Sequence, residues 1–456
     1  MHKNLTSEKK KTYDELVSLV ETSSVIEPEL FDQYNIKRGL RNKNGTGVLV
    51  GLTRIASVIG YTQENEQKVP KAGELYYRGI QLQKLVAGFQ GEGRLGYEET
   101  IYLLLFGNLP TTDQLTAFQE LLDTFRQLPA FYMEDVILKT PSPDIMNKLQ
   151  RSVLSLYSYD EDPDNTKASN VLIQALNLIA KFPMMMTYCY QAKRYYTDKK
   201  TLIIHQPIPG MGTAETILSL LREDRKYHRK EVELLDLLLV VHAEHGGGNN
   251  SAFSTHVVSS SGTDTYSAIA AALGSLKGPK HGGAALAVSA MFEDAQEWIE
   301  DLKDDDQVAA YVDQLLAKEA YDRSGLVYGM GHAIYTVSDP RAVLLREKAV
   351  QVAQFLGEPY VSKLDFLIRF EEIAGKKLQA KYKRGYPLAA NVDFYSGFVY
   401  EMLGFSKELY TALFATSRIA GWCAHRIEQL ADKKIIRPGY ITLGNIREYI
   451  PLEDRD

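Results

Sequence analysis

Two cysteines in 456 residues are too few to staple a chain of this size. Cys189 and Cys423 each sit in an apolar stretch, so both read as core fillers of a protein kept reduced. An excess of charge is also missing. Lys and Arg number 52 against 58 Asp and Glu, a net -6, which gives no global basic field for nucleic acid or an anionic membrane. No run of about 18 apolar residues stands out as a bilayer span, and Met1 to Lys9 lacks the apolar core of a signal peptide. The expectation is a cytoplasmic protein with neither membrane nor nucleic acid as partner. Strand signals are scarce too: Val48-Leu49-Val50 and Leu202-Ile203-Ile204 are short, and no strand-helix alternation builds a parallel sheet. Fixed-period repeats and low-complexity tracts are absent from the sequence.

What remains is helix. Thr111 and Gln114 form a capping box ahead of Leu115, Phe118, Leu121, Leu122 and Phe125, the spacing of one buried face. Ser142-Pro143 reads as another helix start. Asp339-Pro340-Arg341 opens a helix running to Gly357, with Pro359 beyond it. The acidic run Asp301 to Asp306 reads as a solvated helix junction. An all-α fold follows, and 456 residues exceed the roughly 250–300 over which one core keeps growing, so two domains are expected.

Several of the nine histidines fall in glycine-rich junctions, where a side chain is displayed and not packed. His281 precedes Gly282-Gly283 and a helix from Ala284 to Trp298. A helix N-terminus disfavours imidazolium, so a neutral His there suits polarising a carbonyl, although simple capping is the alternative. Gly329-Met330-Gly331-His332-Ala333 offers glycines for close backbone approach and amides for a nucleotide or phosphate, but no strand precedes it and the third glycine of a dinucleotide fingerprint is missing. A structural turn is equally consistent.

Arg341 in a first helical turn opposes the dipole unless an anion meets it, with a surface salt bridge as the plain reading. Asp393, between Val392 and Phe394-Tyr395, is either a base strengthened by burial or a helix cap. Arg418 lies within an apolar helix, where it pairs with a carboxylate or waits for an anionic substrate, and Gly421 leaves room for something to approach. His242 and His245, at i and i+3, invite a zinc reading, but the spacing is not H-E-x-x-H and no third ligand is evident.

Taken together, H-A-E-H-G-G-G-N from His242, G-P-K-H-G-G from Gly278, Y-G-M-G-H-A with D-P-R from Tyr328, N-V-D-F-Y-S-G from Asn391, S-R-I-A-G-W and I-I-R-P resemble the citrate synthase family in order and spacing, from about Leu40 to Arg437. The resemblance implies condensation of acetyl-CoA with oxaloacetate and water to citrate and coenzyme A, without a cofactor or metal. It assigns Asp393 as base, His281 as neutral donor to the enol oxygen, and His332 as acid toward the oxaloacetate carbonyl. His245, Arg341 and Arg418 would hold oxaloacetate, with Arg437 arriving from the partner subunit of a homodimer. Gly329, Met330, Gly331 and Asn391 would meet coenzyme A. Residues 1–281 and 393–456 would form the large domain and 282–392 the small one.

Where family members often carry Lys or Arg four residues after the second catalytic His, this chain has Thr336, so Lys383, Arg384 and Arg346 become the candidate phosphate partners. Tyr386 to Ala390 adds length before Asn391, and the segment before Leu40 does not resemble the regulatory extension of some bacterial relatives. The competing readings are a 2-methylcitrate synthase using propionyl-CoA, a zinc-dependent hydrolase and a non-catalytic binding protein.

Overall fold

The computed structural model describes residues 6–42, 46–64, 67–444 and 446–455. The chain divides into two compact units, Met1–Leu52 and Thr53–Asp456. In the first, α1 (Ser7–Ser23) is capped by Thr6 and buries none of its residues, and α2 (Pro28–Gln33) follows. The expected strand at Val48 to Val50 does not form; an Arg41–Gly47 bridge stands next to it.

The second unit opens with an antiparallel hairpin that the strand scan did not pick out. Strands β1 (Ala56–Glu64) and β2 (Gln67–Tyr77) pair from Ala56–Tyr77 onward, and β3 (Ile80–Gln81) adds to β2. Pro70 and Gly73 disguise β2, because both weaken a strand pattern. The register shifts at Gly60, between Ile59 and Tyr61, leaving a bulge that becomes important below. Leu202 to Ile204, the other expected strand, does not form one.

The α-helices that follow are α3 (Leu82–Gly91), α4 (Tyr97–Phe106), α5 (Thr112–Phe125), α6 (Ile145–Ser155), α7 (Ala168–Tyr196), α8 (Thr213–Leu221), α9 (Arg229–His242), α10 (Asn250–Ser260) and α11 (Thr265–Lys277). Then come α12 (Ala284–Trp298), α13 (Asp305–Ala317), α14 (Pro340–Leu356), α15 (Tyr360–Tyr382), α16 (Val392–Met402) and α17 (Tyr410–Ala431). The mostly helical expectation holds, with the hairpin as its exception.

Caps explain many of the boundaries. The Thr111–Gln114 box starts α5, Asp264 caps α11, Asp304 caps α13, and Asp339 with Gly357 brackets α14. At α6 the N-cap lies two residues beyond the one expected from the sequence: Asp144, not Ser142, caps the helix, accepting from the Asn147 amide at 2.9 Å. Asp outranks a Ser that is already occupied by the Asp144 amide.

Helix α7 is long and apolar enough to cross a membrane by length and composition, which the sequence scan did not register, and it is mostly buried within the fold. It packs on α17, whose Trp422, Arg418, Cys423 and His425 are almost wholly inaccessible. Both cysteines are free and buried.

Candidate active site

Helix α9 ends at His242 and the chain turns away at Ala243. His242 and His245 therefore do not share a helix face, contrary to the expectation from their spacing, because the helix has ended before His245. His242 Nδ1 turns back to the Leu238 carbonyl at 3.0 Å, while His245 Nε2 meets the Tyr335 hydroxyl at 3.1 Å. Among the described residues, metal-like spacing occurs instead at His256, His425 and Glu428.

His281 lies two residues before Gly283, the N-cap of α12. Its Nε2 accepts the Ser251 amide at 3.3 Å and lies 2.9 Å from the Ser251 hydroxyl. An acceptor Nε2 leaves the ring proton on Nδ1. Burial, then the Arg418 charge, lowers its pKa to about 4. The neutral state expected from the sequence is present, but the first turn of α10 enforces it in addition to any dipole from α12.

His332 shows the opposite tautomer. Its Nδ1 accepts the amides of Ile334 at 3.0 Å and Tyr335 at 3.2 Å, so its proton sits on Nε2. The ring stacks on Tyr335 at 4.7 Å between centroids and meets the edge of His245 at 5.1 Å.

The loop carrying His332 leans on the hairpin. Thr336 Oγ1 donates to the Gly60 carbonyl and to Lys71 O at 3.1 Å, and the Gly73 amide donates to Ser338 O at 3.1 Å. A Cβ on Gly60 would lie 2.2 Å from the Ile334 carbonyl oxygen and one on Gly73 2.2 Å from that of Ser338. Only glycine permits either approach. Thr336 thus ties this loop to the β-sheet.

The Gly329–Gly331 backbone is similarly engaged. Met330 N–H donates to Val327 O, Gly331 N–H donates to Ala389 O at 2.8 Å, and Asn391 donates its amide to Gly329 O and its side chain to Gly331 O. The amides of Met330 and Gly331 read as open to a phosphate are therefore occupied, because residues 389–391 pair alongside them.

Asn391, not Asp393, caps α16, which removes the capping reading of Asp393. The Asp393 carboxylate has no hydrogen-bond partner among the described residues. Burial raises its pKa to about 6, against the Arg341 and Arg418 charges and with help from Asp339. Arg341 is buried and not a surface residue: Asp339 Oδ1 and Oδ2 accept from its Nε at 3.0 Å and Nη2 at 2.7 Å. Arg418 is buried as well, donates Nε to the His242 carbonyl at 2.6 Å, and has no carboxylate within salt-bridge distance among the described residues. Burial pulls its pKa down to about 10.

His245, His281, Arg341 and Asp393 all feel the Arg418 charge or act on it. Together with His332 beside His245, these six make one cluster. Arg437 is exposed in the tail after α17 and does not join it within this chain. Lys383 and Arg384, past α15, are exposed, and Arg384 lies over Tyr386. Arg346 pairs with Glu371 at 3.3 Å. A cleft of roughly 430 Å³ behind Asp339 is walled by Arg346, Lys376, Tyr386, Leu388 and Tyr395. Another of roughly 600 Å³ is lined by none of these six residues, and its Arg194 and Arg222 are both salt-bridged.

Sequence reasoning missed Tyr335, Ser251 and Glu244, and saw in Asp339 only a helix start. The D-P-R spacing held the signal for Asp339, since a side chain at an N-cap reaches the first-turn residue two positions on.

A family model described as "Citrate synthase, C-terminal domain" matches residues 44–439. The citrate synthase of Haloferax volcanii is 32% identical over 427 residues, 92% of this chain and 99% of that protein. The 2-methylcitrate synthase 1 of Corynebacterium glutamicum is 30% identical over 427 residues, 92% and 98% of the two. Among solved structures, the Thermoplasma acidophilum citrate synthase, in ternary complex with carboxymethyl coenzyme A and oxaloacetate, superposes with a TM-score of 0.74 at 26% identity, covering 92% of this chain and 99% of that one. The Pyrobaculum aerophilum citrate synthase gives 0.73 at 29% identity, covering 90% and 95%. The chain that builds this cluster belongs to the citrate synthase family.

Proposed function

We propose that this chain condenses acetyl-CoA with oxaloacetate and water to citrate and free coenzyme A, with no cofactor or metal. The observation that carries the reading is Asp393: a carboxyl raised by burial to about 6, without a hydrogen-bond partner among the described residues, in the field of Arg341 and Arg418. Such a carboxylate is ionised near neutral pH and still basic enough to take a proton from the thioester methyl group.

In this reading His281 Nδ1–H donates to the thioester carbonyl as it becomes an enol oxygen. The enol carbon bonds to the oxaloacetate carbonyl carbon, and His332 Nε2–H passes its proton to the oxygen of that carbonyl. Water then cleaves the thioester to release citrate and the thiol. His245, Arg341 and Arg418 hold the dicarboxylate. Residues 282–392 serve as the small domain that closes over it, excluding water before the enol forms.

A homodimer completes the site, with Arg437 reaching across. The tail past α17 supports this, since Ile441, Ile446, Tyr449 and Leu452 leave apolar surface exposed that a second copy would cover. Coenzyme A contacts fall to the Gly329, Met330, Gly331 and Asn391 segment through side chains and carbonyls, with Lys383 and Arg384 near the phosphates.

Release of free thiol from acetyl-CoA and from propionyl-CoA, each with oxaloacetate, tests the reading in wild type and Asp393→Asn. Turnover with acetyl-CoA that the variant loses is the expected result. A clear preference for propionyl-CoA would move the chain to 2-methylcitrate synthesis, and no release with either thioester would overturn the assignment.

A further inference from the structure

Behind Arg418 lies a buried charged set that the condensation does not use. Glu244 is wholly buried; its Oε1 lies 2.9 Å from His425 Nε2, and its Oε2 is buried without a hydrogen-bond partner among the described residues. His425 is wholly buried too, with Nδ1 3.1 Å from His256 Nε2 and 3.8 Å from Glu428 Oε2. His256 Nδ1 faces Gln429 Oε1 at 2.8 Å, so it donates there and its Nε2 is left to accept. His425 must then donate from both nitrogens, which makes it an imidazolium. Its pKa is raised to about 9, the Glu244 charge and hydrogen bond outweighing burial. Of the three groups with metal-like spacing, the two histidines are thus already engaged in a chain from Gln429 to Glu244, while Glu428 Oε2 has no hydrogen-bond partner among the described residues.

Glu244 stands between two buried cations. After His425, the cation acting on it is Arg418, and Glu244 is in turn the strongest charge supporting Arg418. The room left at Gly421 is taken by this carboxylate, since a Cβ there would lie 2.2 Å from Glu244 Oε2. We propose that His425 is a positioning residue that takes up the Glu244 charge and thereby keeps the Arg418 guanidinium available for a carboxylate of the dicarboxylate substrate. This rests on the oxaloacetate-binding reading of Arg418. A neutral His425 leaves Arg418 as the remaining cation for a buried anion, and the substrate then competes with Glu244. The titratable groups facing His425 are Glu244 from the segment after α9, His256 from α10 and Glu428 from α17, with Arg78 of the β2–β3 turn acting on Glu428.

The test is steady-state kinetics on the full-length enzyme with acetyl-CoA and oxaloacetate, for wild type, His425→Gln, Glu244→Gln and the double variant. His425→Gln should raise the oxaloacetate KM about tenfold, the scale of one lost charge-assisted contact, while kcat and the acetyl-CoA KM move less than about twofold. Adding Glu244→Gln should bring the oxaloacetate KM back toward that of Glu244→Gln alone. In wild type the oxaloacetate KM should climb as pH passes through about 9, and in Glu244→Gln that climb should vanish. A folded His425→Gln with unchanged oxaloacetate KM overturns the proposal. If His425→Gln is not recovered folded, the pH comparison decides, and identical profiles for wild type and Glu244→Gln overturn it. An active wild type with either result sinks this proposal alone, whereas an inactive wild type sinks the function and this proposal with it.

Discussion

Asp339 grips Arg341 through both carboxylate oxygens, at 3.0 and 2.7 Å, and its Oδ2 also accepts the amide of Val392, the residue before Asp393, at 3.1 Å. One carboxylate thus fixes both Arg341, the α14 cation proposed to hold oxaloacetate, and the start of the helix that carries Asp393, the proposed base. Asp339→Asn is expected to raise the oxaloacetate KM, because a buried Arg341 loses its counter-charge, a change on the order of 3–5 kcal/mol in stability when one partner of a buried pair is removed. The same variant should shift the pH profile. Asp339 helps raise the Asp393 pKa, so the acid limb of kcat/KM should move to lower pH; a limb left in place would show that the two carboxylates do not communicate.

The wild-type profile has a defined sign. With Asp393 as the base, its carboxyl, raised by burial to about 6, has to lose its proton before it acts, so kcat/KM should rise as pH passes through that point. His281, with a pKa near 4, stays neutral across this range and adds no second limb above it. Asp393→Asn should lose about 10²–10⁴-fold in kcat, the usual contribution of a positioned base. Rates of thiol release between pH 5 and 8 check both.

Tyr335 was invisible as a functional residue in the sequence, yet its hydroxyl meets His245, its ring stacks on His332 and the Arg341 guanidinium lies 5.7 Å from its centroid. Removing the hydroxyl leaves His245 Nε2 buried without that partner, at a cost of about 1–3 kcal/mol. Tyr335→Phe should therefore raise the oxaloacetate KM and leave the acetyl-CoA KM close to wild type. An acetyl-CoA effect as large as the oxaloacetate effect would place Tyr335 elsewhere in the mechanism.

The helices, their caps and the histidines proposed for catalysis are legible because each leaves a local mark: Thr111 with Gln114, Asp264, and His281 before two glycines. The hairpin is not, since Pro70 and Gly73 break the strand pattern and β2 earns its place through the 334–338 loop, a contact more than two hundred residues away in sequence. Thr336 shows in the sequence only as a departure from the family pattern, because its partners, Gly60 and Lys71, cannot be read from its own neighbourhood. Gly60→Ala tests that link. The added carbon meets the Ile334 carbonyl, an overpacking cost of about 1–3 kcal/mol, and should lower the melting temperature together with kcat, since the displaced loop carries His332. A normal kcat in a folded variant would show that the loop holds His332 without the hairpin.

Arg437 poses the remaining question, because it stands exposed after α17 while the other charged groups assigned to oxaloacetate are gathered in the cluster. If the partner subunit's Arg437 completes each site, Asp393→Asn and Arg437→Ala should each be nearly inactive alone and rescue one another when mixed. In the mixed dimer, the Arg437→Ala subunit keeps its own Asp393 and receives an intact arginine from its partner, while the other site lacks both groups. Random reassortment makes half of the dimers mixed with one working site of two, so about a quarter of wild-type activity should return. Recovery of that fraction after subunit exchange would require a site built from both chains. No recovery, with exchange verified by differently tagged subunits, would assign Arg437 to its own chain or to no catalytic role.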